Sequence, residues 1–563
     1  MHRPGAGSPT GTVTFTFGDG TPSATAPVSG GIATVTHAYA ATSGTPYPVT
    51  ATYNGNDNFA ASSGTDTQTI SKAATATAVT SSPDPSVAGQ PVTVTATVAP
   101  VAPGAGAPTG TVTFTFGDGT NAASATLSGG IATVSHVFSG TSGSPFTLTA
   151  TYNGDTNFTA SSGTDTQTVN KAATSTSVVS SPDPSTVGQP VTLTATVSAV
   201  APGSGIPTGT VTFAFGDGTS PATATLTNGI ATVTHPYATR TGSPYTVTAT
   251  YNGDTNFTTS SGTDTQTVNK AATTTAVVSA PDPSTVGQSV TLTATVAAVA
   301  PGAGTPTGTV TFTFGDGTSS ATGTLSGGVA TVTHAYATRT GSPFTITATY
   351  NGDTNFTASS GTDTQTVNKA ATTTAVVSSP DPSVVGQSVT ITATVASASG
   401  TPTGMVTFAF GDGTSSVAAA LSGGIATVTH TYTTTTGSPF TITATYGGND
   451  SYSGSSGTDT QTVDRAATTT SAVATPNPAT VSDPVTVTAT VAPVAPGTGT
   501  PTGTVTLAIP GRTPQTVQLV GGTASAVFNP LPKGTYTVTA NYNGSVNHAP
   551  SAGTTTLVVT TPG

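Results

Sequence analysis

Apolar and polar residues alternate with a period of two along most of the chain. In residues 171–269, Val191, Leu193, Ala195 and Val197 alternate with Thr192, Thr194 and Thr196. Val211, Phe213 and Phe215 alternate with Thr210 and Thr212, and Tyr245, Val247, Ala249 and Tyr251 with Thr246, Thr248 and Thr250. Residues two apart share one face of a strand, so each run predicts a strand with its apolar face inward and its threonines outward. Turns rich in Pro and Gly, such as Ser181-Pro182-Asp183-Pro184 and Asn252-Gly253-Asp254, separate the runs. About seven short strands in roughly 100 residues predict an immunoglobulin-like β-sandwich.

The pattern recurs six times. A segment reading Gly-Thr-Val-Thr-Phe has its glycine at Gly11, Gly110, Gly209, Gly308, Gly404 (with Met405 for Thr) and Gly503 (ending in Leu507), at intervals of 99, 99, 99, 96 and 99. The short interval arises in one loop, since Val296 to Gly308 spans 12 positions and Val395 to Gly404 spans 9. Boundaries at Lys72, Lys171, Lys270, Lys369 and Arg465 give segments 1–71, 72–170, 171–269, 270–368, 369–464 and 465–563. No linker residues intervene. The expected architecture is all-β: tandem immunoglobulin-like sandwiches stacked into an extended rod, about 35–40 Å per domain and about 200 Å for five complete domains.

The first segment, 1–71, is expected to be incomplete. His2 to Gly11 aligns with the loop Val101 to Gly110, so Met1 falls inside a loop and no residues remain for the first two strands, A and B. The expectation is a chain cut from a longer parent, with a signal peptide and further repeats upstream. The alternative is a gap that accepts a strand from another chain, giving fibres or lateral self-association.

Composition narrows the function classes. The chain has 66 Gly, 42 Pro, no Cys, no Trp, no Glu and 6% charged residues. Thr and Val favour strands, and residues that favour helices are scarce. Low charge with regular alternation argues against disorder. A net charge of −11 with no basic cluster gives no footprint for nucleic acid or for an anionic membrane. No apolar run is long enough to span a bilayer.

Other residues carry a resemblance. The run from Gly503 to Ser551, with Gly521-Gly522, Gly534-Thr535-Tyr536-Thr537-Val538-Thr539-Ala540 and Tyr542-Asn543-Gly544, resembles bacterial Ig-like domains of group 3. All six repeats share that frame. Repeats one to five also carry Phe-Gly-Asp-Gly (Phe215 to Gly218) followed by His235 and Tyr237 or their equivalents, a pairing that resembles the PKD-type sandwich. The sixth departs, with Ile509-Pro510-Gly511 and no equivalent His. The resemblance implies spacers, adhesin shafts or accessory modules of secreted enzymes, with neither family itself catalytic.

Candidate chemistry is sparse. His37, His136, His235, His334 and His430 occur once per repeat with no Cys or Glu beside them, whereas a zinc site needs three or four ligands. They read as structural histidines near the end of a core strand. Neither Gly-x-Ser-x-Gly nor His-Glu-x-x-His occurs, so no catalytic residue and no enzyme activity are expected. One metal reading has a geometric basis. In a sandwich the A–B and C–D turns face the next domain and the F–G turn faces back, which would direct Asp183 and Asp217 toward Asp353 and Asn355. Ca²⁺ takes about six to eight oxygens and this set offers about four. Asp217 has a competing role in capping its own turn, Asp183 one in an Asx turn, and Lys270 and Arg240 one in pairing with the acids. No cofactor is therefore expected, with seam Ca²⁺ as the alternative. Asn157, Asn256 and Asn355 each begin an Asn-x-Thr acceptor pattern for sugar.

The sequence is thus expected to encode a non-catalytic extracellular or cell-surface stalk, spacer or adhesin shaft that projects another module. The alternatives are a module binding a polysaccharide or another surface, and an accessory segment of a secreted hydrolase.

Overall fold

The computed structural model describes residues 7–563 and divides them into two compact units: one running up to Ala271 together with Ala300–Gly304, the other comprising Ala272–Val299 and Thr305–Gly563. Residues 1–6, which align with the loop beginning at Val101, lie outside the described residues. Among those described there is no helix, and so none long and apolar enough to cross a membrane.

Repeat three shows how the alternation folds. Thr174–Ser181, Pro190–Ala199 and Ile230–Pro236 form an antiparallel three-stranded sheet with Pro190–Ala199 in the middle. Ala222–Thr225, Thr210–Ala214, Tyr245–Tyr251 and Ser260–Gln266 form a four-stranded sheet in that order. Two short segments, Ser185–Thr186 and Val268–Asn269, pair in parallel and tie the first sheet to the last strand. The apolar parity predicted from sequence lies between the sheets: Val191, Leu193, Ala195, Val211, Phe213, Val247, Ala249 and Tyr251 are fully buried. At about 25 cal/mol per Å² of apolar surface, such residues supply most of the driving force in a chain without disulfides.

One glycine decides how closely the sheets meet. Gly262 lies in the last strand, where a Cβ would fall 2.3 Å from the carbonyl oxygen of Thr176 in the first strand. Gly163, Gly361, Gly457 and Gly553 occupy the same place, with the same approach at 2.1–2.2 Å. The Ser-Ser-Gly-Thr-Asp-Thr-Gln segment therefore needs its glycine for backbone-to-backbone contact.

The first repeat differs. Its described residues form one four-stranded sheet, ordered Ala24–Pro27, Thr12–Thr16, Tyr47–Tyr53 and Ser62–Gln68. Residues 33–40 carry no strand, whereas the equivalent Ile131–Val137 of repeat two pairs with Pro91–Pro100. Val13 and Phe15 are only half-buried, while Val112 and Phe114 are fully buried. Around Gly64 there is open space where the other glycines meet a strand.

This contrast gives a paired expectation. Gly262→Ala should destabilise repeat three by more than about 2 kcal/mol, because a backbone carbonyl must move. Gly64→Ala should stay within about 0.5 kcal/mol of the parent. Hydrogen exchange of the strands Ser260–Gln266 and Ser62–Gln68 reads the two effects separately, and equal effects would contradict this account of the glycine.

Candidate functional site

Each of the first five repeats holds one histidine–aspartate pair. In repeat three, Nε2 of His235 lies 2.7 Å from Oδ2 of Asp217, 18 residues earlier in the chain. The other Asp217 oxygen accepts hydrogen bonds from the Thr219 amide at 3.0 Å and the Thr219 hydroxyl at 2.5 Å. The imidazole stacks on Phe215 at 3.9 Å and meets Tyr237 edge-on at 4.7 Å. The same pair forms at Asp19–His37, Asp118–His136, Asp316–His334 and Asp412–His430, at 2.6–2.7 Å. Burial pushes the Asp217 carboxyl up, but the hydrogen bonds from Thr219 and His235 outweigh it and hold the group below the usual carboxylate range. Asp19, led by its bond from Thr21, falls to about 2.

The sixth repeat shows what the pair is for. Phe528 faces Val485 there as His235 faces Val191, and Ile509 and Phe528 are both buried. Ile509 stands at the place of Phe215, Gly511 at that of Asp217 and Phe528 at that of His235, so this sandwich forms without the pair. A repeat of the same fold that forms without the pair fits a structural role for it, local to the sandwich.

The remaining acids of repeat three are engaged in the same way. Asp183 accepts from the Thr267 amide at 2.8 Å and the Gln266 side chain at 3.4 Å, clamping the first turn to the last strand. Asp264 accepts from the amide and hydroxyl of Ser180 at 2.8 and 2.6 Å. Asp254 organises the turn 252–257: one oxygen accepts from the Asn256 and Phe257 amides at 2.7 and 2.8 Å, the other from the amide and hydroxyl of Thr208 at 2.9 and 2.6 Å.

Of the calcium candidates, Asp183 and Asp217 lie in the first unit and Asp353 and Asn355 in the second. Asp353 accepts from the amides of Asn355 and Phe356 and from Thr307, repeating the role of Asp254. Each of these carboxylates accepts N–H or O–H donors of its own repeat. Among the described residues no group of three or more His and Asp side chains converges as metal ligands. Lys72 donates to the main-chain oxygen of Asp155 at 2.5 Å, and Lys171 likewise to Asp254, so the cation caps a turn and pairs with no carboxylate there.

The contacts between repeats two and three are made by uncharged groups. Where repeat two meets repeat three, the Asn256 side-chain oxygen accepts from the Thr141 amide at 2.9 Å, and the Thr141 hydroxyl donates to the Thr255 oxygen at 2.7 Å. Beside them, the Ser204 hydroxyl donates to the Gly89 oxygen at 2.7 Å. A Cβ at Gly89, where φ is +76°, would fall 2.2 Å from the Ser204 carbonyl oxygen. The turn 252–257 thus faces back toward the preceding repeat, as the sandwich argument predicts. Sequence reading noticed Asn256 only as a sugar-acceptor pattern and missed this role.

Two expectations follow. The stability supplied by the five paired aspartates is present above the ordinary Asp value of about 3.9 and is lost as pH falls through their lower folded values. The melting temperature should therefore fall between about pH 4 and pH 2, and replacing Asp19, Asp118, Asp217, Asp316 and Asp412 together by Asn should flatten that fall. Millimolar Ca²⁺ at neutral pH should shift the melting temperature by less than about 2 °C. A larger shift that Asp217→Ala abolishes would reinstate the metal.

Comparisons place the chain among known proteins. A search of curated proteins found no match. Among solved structures, a tetra-tandem repeat from the extending region of a large adhesion protein is 20% identical, with 69% of this chain and 100% of that chain covered, at a TM-score of 0.27. A Ca²⁺-stabilized adhesin from an Antarctic bacterium is 17% identical, covering 69% of this chain and 100% of that one at a TM-score of 0.24. The N-terminal eight Ig domains of Down Syndrome Cell Adhesion Molecule are 13% identical, covering 92% and 65% at a TM-score of 0.23. The model of the bacterial Ig-like domain (group 3) matches residues 2–71, 79–170, 178–269, 277–368, 376–464 and 472–561. Six matches span nearly the whole length, and the chain belongs to the bacterial Ig-like domain (group 3) family.

Proposed function

We propose that the chain is a non-catalytic stalk or spacer, an adhesin shaft that carries another module away from a bacterial surface. One observation carries this reading: consecutive repeats are joined without a linker. In repeat two the last paired residue is Asn170, and Ala172 is already bridged to Phe257 of repeat three, leaving Lys171 between them. Sandwiches joined this tightly transmit position from one to the next, which is what a spacer must do. The acids of repeat three are occupied within the fold, and its large aromatic side chains, Phe213, Phe215, Tyr237, Tyr245, Tyr251 and Phe257, are buried. That leaves no exposed aromatic platform in repeat three and ranks polysaccharide binding second. An extracellular or cell-surface location belongs to the same reading.

Small-angle scattering tests it. The stalk reading expects a maximum dimension of about 200 Å for the full chain, from strand rise and five complete repeats. A compact particle of about 80 Å would overturn it.

A further inference from the structure

The joints are not all alike. Thr42 and Asn157 join repeats one and two, with the amide of Thr42 donating to the Asn157 side-chain oxygen at 2.8 Å. Thr141 and Asn256 repeat this between two and three, and Thr435 and Asn547 between five and six, at 2.9 and 3.0 Å. In each case the threonine hydroxyl also donates to the main-chain oxygen preceding the asparagine, namely Thr156, Thr255 or Val546. Between repeats five and six, Thr498 adds bonds from its amide and hydroxyl to the oxygens of Val385 and Gly386, both at 3.1 Å.

The joint between repeats four and five, inside the second unit, is built from different residues. Arg339 stands where repeats one, two and five have threonine, a change it shares with Arg240 of repeat three, and Ser451 stands where the other repeats have asparagine. The loop before Gly404 is the one shortened by three residues, and it sets Ser399 in the place of Thr498. The surfaces still touch, since a Cβ at Gly287 would fall 2.7 Å from the Ser399 oxygen. Among the described residues, however, no hydrogen bond crosses this joint.

We infer that the threonine–asparagine fastening fixes the orientation of one repeat on the next, and that the joint between repeats four and five, which lacks it, is where the second unit bends. Each such hydrogen bond favours one orientation by a factor of about two to ten, and it is directional, whereas apolar or van der Waals contact tolerates rotation. Three departures coincide at one joint, in both partner residues and in the loop beside them. Gly287 keeps a positive φ of +74° there, so the docking turn itself is intact and only its fastening is missing. The inference rests on joint geometry and stands whether or not the chain serves as a stalk.

The absence of cysteine makes the test clean. In the full chain, Thr345, Thr441 and Thr537 are exposed, equivalent positions in repeats four, five and six. Spin labels on Thr345→Cys with Thr441→Cys report the first joint, and on Thr441→Cys with Thr537→Cys the second, by pulsed dipolar spectroscopy. The distance distribution across the joint between four and five should be about twofold broader than that between five and six. Asn547→Ala, which removes both the oxygen that accepts from Thr435 and the amide that donates to Thr433, should broaden the narrow one. Arg339→Thr with Ser451→Asn should narrow the broad one. Equal widths in the parent chain, or no broadening by Asn547→Ala in a chain with an unchanged melting temperature, would overturn the inference.

Discussion

The turn around Asp254 bears on nearly everything else in its repeat. The Asp254 carboxylate gathers two amides of its own turn and both donors of Thr208, and Lys171 closes the turn from outside. The shaped turn then does two things. The Asn256 main-chain oxygen receives the amide of Ala172 at 2.8 Å, fixing where the chain enters the sandwich. Its side-chain oxygen receives the amide of Thr141 from the preceding repeat. Entry and docking are set by one asparagine, so the direction of the incoming chain and the seat of the preceding sandwich cannot vary independently. Repeat six keeps the arrangement with Ser545 in place of the aspartate, its hydroxyl accepting from the amides of Asn547 and His548.

The low charge follows from this economy. A carboxylate that accepts several N–H and O–H bonds is stabilised locally and needs no cationic partner. With its acids used this way, repeat three leaves its outer faces to threonine, whose methyl group suits a strand and whose hydroxyl suits water. Surface ion pairs would add little to such sheets. The core does the rest, small at Ala195 and Ala249 and large at Phe213 and Tyr251, so that two short sheets close without a disulfide.

Much of this was legible in the chain. Period-two alternation gave the strands and the buried parity of Val191 through Val197, because that signal depends only on neighbours in sequence. The site was legible in part. Asp217 was expected either to cap its turn, which it does through Thr219, or to face the next repeat. Its partnership with His235 depends on how two strands 18 residues apart pack, and no local pattern encodes that. Asp183 gave no hint of Thr267, which lies 84 residues away across the sandwich. Asn256 was harder still, since its partner belongs to another repeat and an Asn-x-Thr pattern suggested a sugar. One signal was available: asparagine recurs at 157, 256 and 355 but gives way to Ser451, and threonine gives way to arginine at Arg240 and Arg339.

The fastening has a consequence for inheritance. Because the joints at Thr42, Thr141 and Thr435 use the same atoms from the same two faces, a gene that gained or lost a segment encoding 99 residues through unequal recombination would rebuild a familiar joint at the splice. No new interface would have to evolve. Copy number is then a quantity that selection can adjust in whole steps.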